Sequence, residues 1–123
     1  MRKIIILDDE VMMLSSLERR IKSENLAYEP HCFSSIKLAL AELDKGDCYA
    51  FITDVKMPHL TGDQVVNYIS KKYPEQPCIV ITGQAEKREI RHIMDAGNVK
   101  EVIWKPIDFE TLVTALDNIA VTE

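Results

Sequence analysis

The chain has 123 residues, a common length for one domain, and we interpret residues 1–123 as a single domain. Its 46% apolar and 28% charged residues are an ordinary globular composition. The formal net charge of -5, from 15 basic and 20 acidic side chains, argues against a nucleic-acid-binding surface, because phosphate binding needs clustered cations. The same charge is compatible with binding of a divalent cation.

The sequence predicts neither membrane contact nor a disulfide framework. Its longest apolar run is far shorter than a membrane span, and the first residues lack the apolar stretch of a signal peptide. The three cysteines, Cys32, Cys48 and Cys78, are scattered and show no C-x-x-C spacing. We therefore expect reduced thiols in a cytoplasmic protein.

Strand-like and helix-like segments alternate five times along the chain. The predicted strands cover residues 3–8, 27–33, 48–54, 78–82 and 101–104. The predicted helices cover residues 10–23, 36 to about 46, 63–72 and 86–96, and a last helix follows Asp108, which can cap it. Ser34 or Ser35 can cap the second helix in the same way. Pro30 lacks an amide donor, so the second strand is expected at an edge of the sheet.

Five β-α units predict an α/β fold of the flavodoxin-like, doubly wound type. The five parallel strands should run in the order 2-1-3-4-5, with helices on both faces of the sheet. This order puts the strand that contains Pro30 at an edge. It also creates a switch point between strands 1 and 3, and ligands bind outside the carboxyl ends of strands at such a point.

Chemically active side chains stand at the carboxyl ends of four predicted strands. Asp8 and Asp9 end the first, Asp54 ends the third, Thr82 ends the fourth and Lys105 follows the fifth. Each has a plainer interpretation when taken alone, such as an acidic first turn of a helix. Because the carboxyl ends of parallel strands meet at one edge, the joint placement instead indicates one site.

Three carboxylates brought together raise one another's pKa values unless a cation joins them. Mg²⁺ suits such a site, because it accepts one or two carboxylates together with waters and phosphate oxygens. We expect Asp9 and Asp54 to hold the ion, with Asp8 acting through a water. The backbone carbonyl of Lys56, in the loop after the third strand, is a plausible further ligand.

A magnesium site of this kind favours phosphoryl transfer, in which catalysis is mainly positioning and charge neutralisation. Asp54 is the best nucleophile, because it lies at the centre of the predicted sheet with a loop beside it. Lys105 is placed to reach the phosphoryl oxygens as a second cation, and the Thr82 hydroxyl is placed to donate a hydrogen bond. The product would be an acyl phosphate.

The chain resembles the receiver domain of a two-component response regulator over its whole length. The resemblance rests on the sequences Ile-Leu-Asp-Asp-Glu at 6–10, Thr-Asp-Val-Lys-Met-Pro-His-Leu-Thr-Gly at 53–62, Ile-Thr-Gly at 81–83 and Trp-Lys-Pro at 104–106. It implies a phosphoacceptor switch that catalyses only its own phosphorylation and dephosphorylation and is not a metabolic enzyme.

The resemblance also implies roles for individual residues. Asp54 would accept a phosphoryl group from the phosphohistidine of a sensor histidine kinase or phosphotransfer protein. Asp8, Asp9, Asp54 and the carbonyl of Lys56 would gather Mg²⁺, and Thr82 and Lys105 would bind the phosphoryl group and report its presence. A cis peptide bond is expected between Lys105 and Pro106.

The expected partners beyond the kinase follow from the same resemblance. The surface of the fourth helix, fifth strand and fifth helix would change on phosphorylation and control an output domain or an effector protein. A homodimer through that surface is possible.

One position departs from the family pattern. Receivers commonly carry Tyr or Phe three residues before the lysine, where this chain has Val102. Trp104 lies two residues later, on the same strand face. Two interpretations stay open for Trp104: it shares the switch role, or it is a packed tryptophan of an edge strand.

Two other classes of protein share features with the predicted site. A haloacid-dehalogenase-like phosphohydrolase also uses an aspartyl nucleophile, Thr, Lys and Mg²⁺, but its nucleophile normally follows strand 1 in a D-x-D pattern. A flavin-binding module would need a loop rich in glycine and hydroxyl groups after strand 1 to hold a phosphate. Asp8, Asp9 and Glu10 occupy that loop and would repel a phosphate.

Overall fold

A computed structural model describes the chain at residues 1–24, 26–55, 57, 61–83, 87–95 and 98–122. Within these ranges the strands are β1 (Arg2–Leu7), β2 (Tyr28–Phe33), β3 (Cys48–Asp54), β4 (Cys78–Thr82) and β5 (Val99–Trp104). The helices are α1 (Val11–Ser23), α2 (Ile36–Asp44), α3 (Gly62–Lys72), α4 (Lys87–Asp95) and α5 (Phe109–Thr122).

The strands form one parallel sheet in the order β2-β1-β3-β4-β5, which confirms the predicted fold. Pro30 lies on the edge strand β2, opposite Ile4 of β1, as its missing amide requires. β5 begins two residues earlier than predicted, because Val99 pairs with Cys78 and is buried in the core.

The sheet is buried on both faces, which explains the continuous apolar runs of its central strands. α1 and α5 cover one face, with Leu17 and Leu112 among the residues that they bury there. α2, α3 and α4 cover the other face, with Leu43, Ile69 and Ile93 among theirs. Each such side chain contributes roughly 1.5–3 kcal/mol when it leaves water, so the strand ends that carry the site have a rigid support.

Local signals fix the ends of the helices. The side chain of Ser35 accepts a hydrogen bond from the backbone N–H of Leu38, so Ser35 is the cap of α2. α2 ends at Asp44, and Gly46 then adopts a φ of 86°, a conformation that glycine reaches without a steric penalty. Asp108 directly precedes α5, and its carboxylate accepts a hydrogen bond from the Thr111 hydroxyl at 2.8 Å.

The structure describes α4 only between Lys87 and Asp95. The predicted ends of the fourth helix, at positions 86 and 96, lie outside the described residues. Within the described part of the chain, no helix combines the length and apolar character that a membrane crossing requires.

Candidate functional site

The strand register brings the predicted side chains to one edge of the sheet. Leu7 lies opposite Thr53, so the residues that follow, Asp8 and Asp54, stand side by side at the ends of β1 and β3. Asp54 in turn lies opposite Ile81 of β4, and Thr82 is the next residue. The convergence expected from parallel strands is therefore present.

Lys105 joins this group from the end of β5. Its ammonium nitrogen Nζ lies 2.9 Å from Glu10 Oε1, 3.0 Å from Asp54 Oδ2 and 3.4 Å from Asp8 Oδ2. The stem of the lysine side chain passes Gly83, where an added Cβ would lie 3.6 Å from the Cβ of Lys105. The ion pairs with the carboxylates hold the ammonium in this place.

The backbone of Lys105 is as firmly placed as its side chain. Its N–H donates to the carbonyl oxygen of Thr82 at 2.8 Å, which ties the end of β5 to the end of β4. The peptide bond between Lys105 and Pro106 is cis, as the resemblance implied. Thr82 itself is completely buried beside the group.

Burial controls the electrostatics of the site. Asp8 and Asp54 are only 1% and 4% exposed. Burial raises the pKa of Asp8 to about 6, the backbone N–H of Glu10 opposes that rise, and the charge of Asp54 adds to it. Burial also disfavours the charge of Lys105, but the hydrogen bonds to Glu10 and Asp54 outweigh it and hold the pKa of Lys105 above its ordinary value. One ammonium thus stabilises several acidic groups.

The carboxylates are arranged in a way that suits a hard divalent cation. Asp8, Glu10 and Asp54 each present an oxygen, and these oxygens lie within 4.8 Å of one another. Asp8 Oδ2 is buried and has no hydrogen-bond partner among the described residues, so its contact with Lys105 is electrostatic only. A buried carboxylate oxygen without a donor is well placed to accept a metal, and an all-oxygen set matches Mg²⁺.

Of the other two predicted ligands, Asp9 lies outside the compact group and Lys56 lies outside the described residues. Asp9 is exposed, and its side chain interacts with that of Asp8 rather than joining the compact group among the described residues. Its role as a metal ligand stays a prediction. Lys56 lies outside the described residues, so the role of its carbonyl stays a prediction as well.

Glu10 is a member of the group that sequence reasoning missed. From the sequence, Glu10 belongs to the acidic segment between the first strand and the first helix, without a role of its own in the site. The backbone N–H of Glu10 donates to Asp8 Oδ1 at 2.9 Å, and this tight turn brings the Glu10 side chain back over the site. Its position two residues after Asp8 was the available signal.

The exposure of Trp104 tests its interpretation as a packed tryptophan. Val102 is half-buried against the core, whereas Trp104 is 55% exposed. Trp104 occupies the last position of an edge strand, with a neighbouring strand on one side only. The interpretation of Trp104 as a packed tryptophan is therefore wrong.

Comparisons with known proteins agree with this geometry. The sequence model of the response regulator receiver domain matches residues 4–117, and the chain belongs to that family. Receiver domains bind Mg²⁺ through acidic residues and act as signalling switches. Family membership favours the receiver over the phosphohydrolase and the flavin-binding module.

Individual relatives are similar over most of this chain. It is 31% identical over 113 residues to the response regulator protein TodT of Pseudomonas putida, which covers 92% of this chain and 48% of TodT. It is 33% identical over 114 residues to the transcriptional regulatory protein FlgR of Helicobacter pylori, which covers 93% of this chain and 28% of FlgR. The chain thus spans about half of one relative and about a quarter of the other.

Solved structures show the same fold. A response regulator receiver domain protein from Clostridium thermocellum superposes with a TM-score of 0.89 at 25% identity, covering 99% of this chain and 96% of that chain. The beryllofluoride-activated NtrC4 receiver domain dimer gives a TM-score of 0.86 at 24% identity, covering 97% of this chain and 96% of that chain.

The raised pKa of Asp8 gives a prediction for the metal-free protein. Asp8→Asn should increase the free energy of unfolding, on the order of 2 kcal/mol, at pH values well above 6. The pKa is about 6 when folded and 3.8 without perturbation, so the folded state binds the extra proton within that window. The contribution of Asp8 to stability therefore falls as pH rises through the window.

Urea unfolding of parent and variant in a chelator across this pH range measures the effect. The advantage of asparagine should disappear below pH 3.8, where Asp8 is protonated in both states. An Asp8→Asn protein that is equally or less stable than the parent at high pH would contradict the electrostatic account of this site.

Proposed function

We propose that the chain is the phosphoacceptor switch of a two-component pathway. Asp54 takes a phosphoryl group from the phosphohistidine of a sensor histidine kinase or phosphotransfer protein, with Mg²⁺ as cofactor. The observation that carries the proposal is the convergence of Asp8, Asp54 and Lys105, with 3.0 Å between the ammonium and the acceptor carboxylate. Family membership supports the same chemistry.

The proposed transfer is a displacement at phosphorus. An oxygen of Asp54 forms a bond to phosphorus as the phosphorus–nitrogen bond of the donor breaks, and the electron pair of that bond returns to the imidazole. Asp8, Asp9, Asp54 and the carbonyl of Lys56 would hold Mg²⁺. The bound ion would neutralise charge on the phosphoryl oxygens. Lys105 adds a second positive charge beside the acceptor.

The connection between Thr82 and Lys105 explains how the phosphoryl group would be reported. Both side chains bind phosphoryl oxygens in the proposal, and their backbones are already joined by a 2.8 Å hydrogen bond. Inward movement of either residue displaces the ends of β4 and β5. The surface of α4, β5 and α5 then changes and controls an output domain or an effector protein.

The proposal also covers assembly, location and catalytic scope. A homodimer through α4, β5 and α5 is supported by the exposed side chains of Met94 and Trp104. A cytoplasmic location is supported by the three free thiols in the structure. The chain would turn over no metabolite and would catalyse only the gain and loss of its own phosphoryl group.

Phosphorylation of Asp54 tests the proposal directly. Incubation with acetyl phosphate and Mg²⁺ should add one phosphoryl group to the intact protein, detected by mass spectrometry and located at Asp54. Asp54→Asn should gain none, and a chelator should prevent labelling of the parent. Absence of an adduct with both acetyl phosphate and a phosphohistidine donor would refute the proposal, and turnover of a phosphate monoester would favour a phosphohydrolase.

Thr82→Ala separates acceptance of the phosphoryl group from the response to it. Asp54 should still be labelled, within about threefold of the parental rate, because the acceptor and Lys105 are intact. The hydroxyl hydrogen bond to a charged phosphoryl oxygen is lost, at a cost of about 1.5–3 kcal/mol. NMR shifts of β5 and α5 amides, compared at equal phosphorylation, should therefore change much less than in the parent; equal changes would show that Thr82 does not transmit the signal.

A further inference from the structure

The side chain of Glu10 binds a residue of the functional site instead of capping the helix that it precedes. Glu10 is the cap residue of α1, yet its side chain makes no capping hydrogen bond. The Glu10 carboxylate instead accepts a 2.9 Å hydrogen bond from Lys105 Nζ. The contact joins the loop after β1 to the end of β5, across 95 positions of sequence.

Glu10 is one of three acidic partners of the lysine. An ammonium group has three N–H donors. Lys105 Nζ lies within 3.4 Å of three carboxylates, those of Asp8, Glu10 and Asp54. Two of its N–H groups donate to Glu10 and Asp54, and Asp8 Oδ2 is an electrostatic contact. Movement of Nζ toward a phosphoryl oxygen on Asp54 would therefore weaken at least one of these contacts.

The exposed fractions of the three carboxylate side chains show which of them can leave Lys105 at the lowest cost. The Glu10 side chain is 60% exposed, against 1% for Asp8 and 5% for Asp54. A released Glu10 carboxylate is hydrated by water, and an exposed ion pair of this kind changes an equilibrium by only about two- to fivefold. Releasing Asp8 or Asp54 would leave a buried charge without its partner, which is far less favourable.

We propose that Glu10 restrains Lys105 in the unphosphorylated protein and is the partner that a phosphoryl oxygen on Asp54 replaces. The inference rests on the proposed function, since it needs a phosphoryl group at Asp54. Glu10 acts through Lys105 and is thus a positioning residue. It lowers both the rate of phosphorylation and the affinity for a phosphoryl mimic, because its hydrogen bond to Lys105 is lost as Nζ moves to the phosphoryl oxygen.

Two substitutions of Glu10 distinguish the effect of its contact with Lys105 from the effect of its negative charge. Glu10→Gln removes the charge, whereas Glu10→Asp keeps the charge and shortens the side chain by one methylene group, which should lengthen or break the 2.9 Å contact with Lys105. Glu18→Gln is the matched control, because Glu18 is a partly exposed acid of α1, paired with Lys22 at 3.2 Å and remote from the site. None of the three substitutions is at a buried position, so all should leave the fold intact.

Each variant is studied by two measurements. Both use a Mg²⁺ concentration that has first been shown to saturate that variant. The first is the initial rate of Asp54 labelling by acetyl phosphate, followed by intact mass. The second is the dissociation constant for beryllofluoride, a phosphoryl mimic, followed by the fluorescence of Trp104, the single tryptophan of the chain. The second readout is a binding measurement and does not depend on turnover.

Glu10→Gln and Glu10→Asp should both label about two- to fivefold faster than the parent and bind beryllofluoride tighter by a similar factor. Glu18→Gln should match the parent. Acceleration by Glu10→Gln alone would show a through-space charge effect and overturn the proposal. Parental behaviour, or slower labelling, in both Glu10 variants would also overturn it.

Two further results would have different meanings for the role of Glu10 and for the proposed function. A loss of Mg²⁺ affinity of tenfold or more in both Glu10 variants would assign Glu10 to the metal and overturn the exchange. Failure of the parent itself to be labelled would refute the proposed function, which these variants presuppose.

Discussion

The site depends on the ammonium of Lys105 lying among carboxylates that the fold has removed from water. Asp8 and Asp54 are nearly inaccessible and stand side by side, an arrangement in which two negative charges repel strongly. The ammonium within 3.4 Å of both compensates that repulsion in the metal-free protein. Burial, followed by the charge of Asp54, raises the pKa of Asp8, so a further cation at the site would stabilise its charged form.

The benefit of a further cation at this place connects the fold to the proposed chemistry. A parallel sheet whose faces are buried by helices can place polar side chains at the carboxyl ends of its strands without disturbing the core. Mg²⁺ would satisfy the excess negative charge, and a phosphoryl group would then draw Lys105 toward itself. Because the Lys105 N–H is bonded to the Thr82 carbonyl, any such movement reaches two strands at once.

The sequence predicted the fold well because the physical signals were local. The bounds of β3 and β4 matched the predicted residues 48–54 and 78–82, since each is an apolar run flanked by polar or turn-forming residues. Pro30 and the acidic strand ends together selected the order 2-1-3-4-5, which the structure shows. The start of β5 was misplaced, because its pairing with Cys78 is a long-range contact that local pattern does not reveal.

The site was predictable only in part. The placement of Asp8, Asp54, Thr82 and Lys105 at one edge of the sheet was predicted, because the end of a strand fixes where such residues lie. Glu10 was missed, because the direction of its side chain depends on the turn that its own N–H makes with Asp8. The exposure of Trp104 likewise depends on which elements cover the sheet edge and not on the sequence of β5.

The most direct test of the central claim is whether Lys105 and Mg²⁺ compete for the same carboxylates. Thermal unfolding of the parent and of Lys105→Met, with and without Mg²⁺, measures this through the stabilisation that a bound ligand confers on the folded state. Lys105→Met should be less stable than the parent without the ion and should gain more from Mg²⁺. An equal gain in the two proteins would show that the ammonium does not occupy the place of a cation.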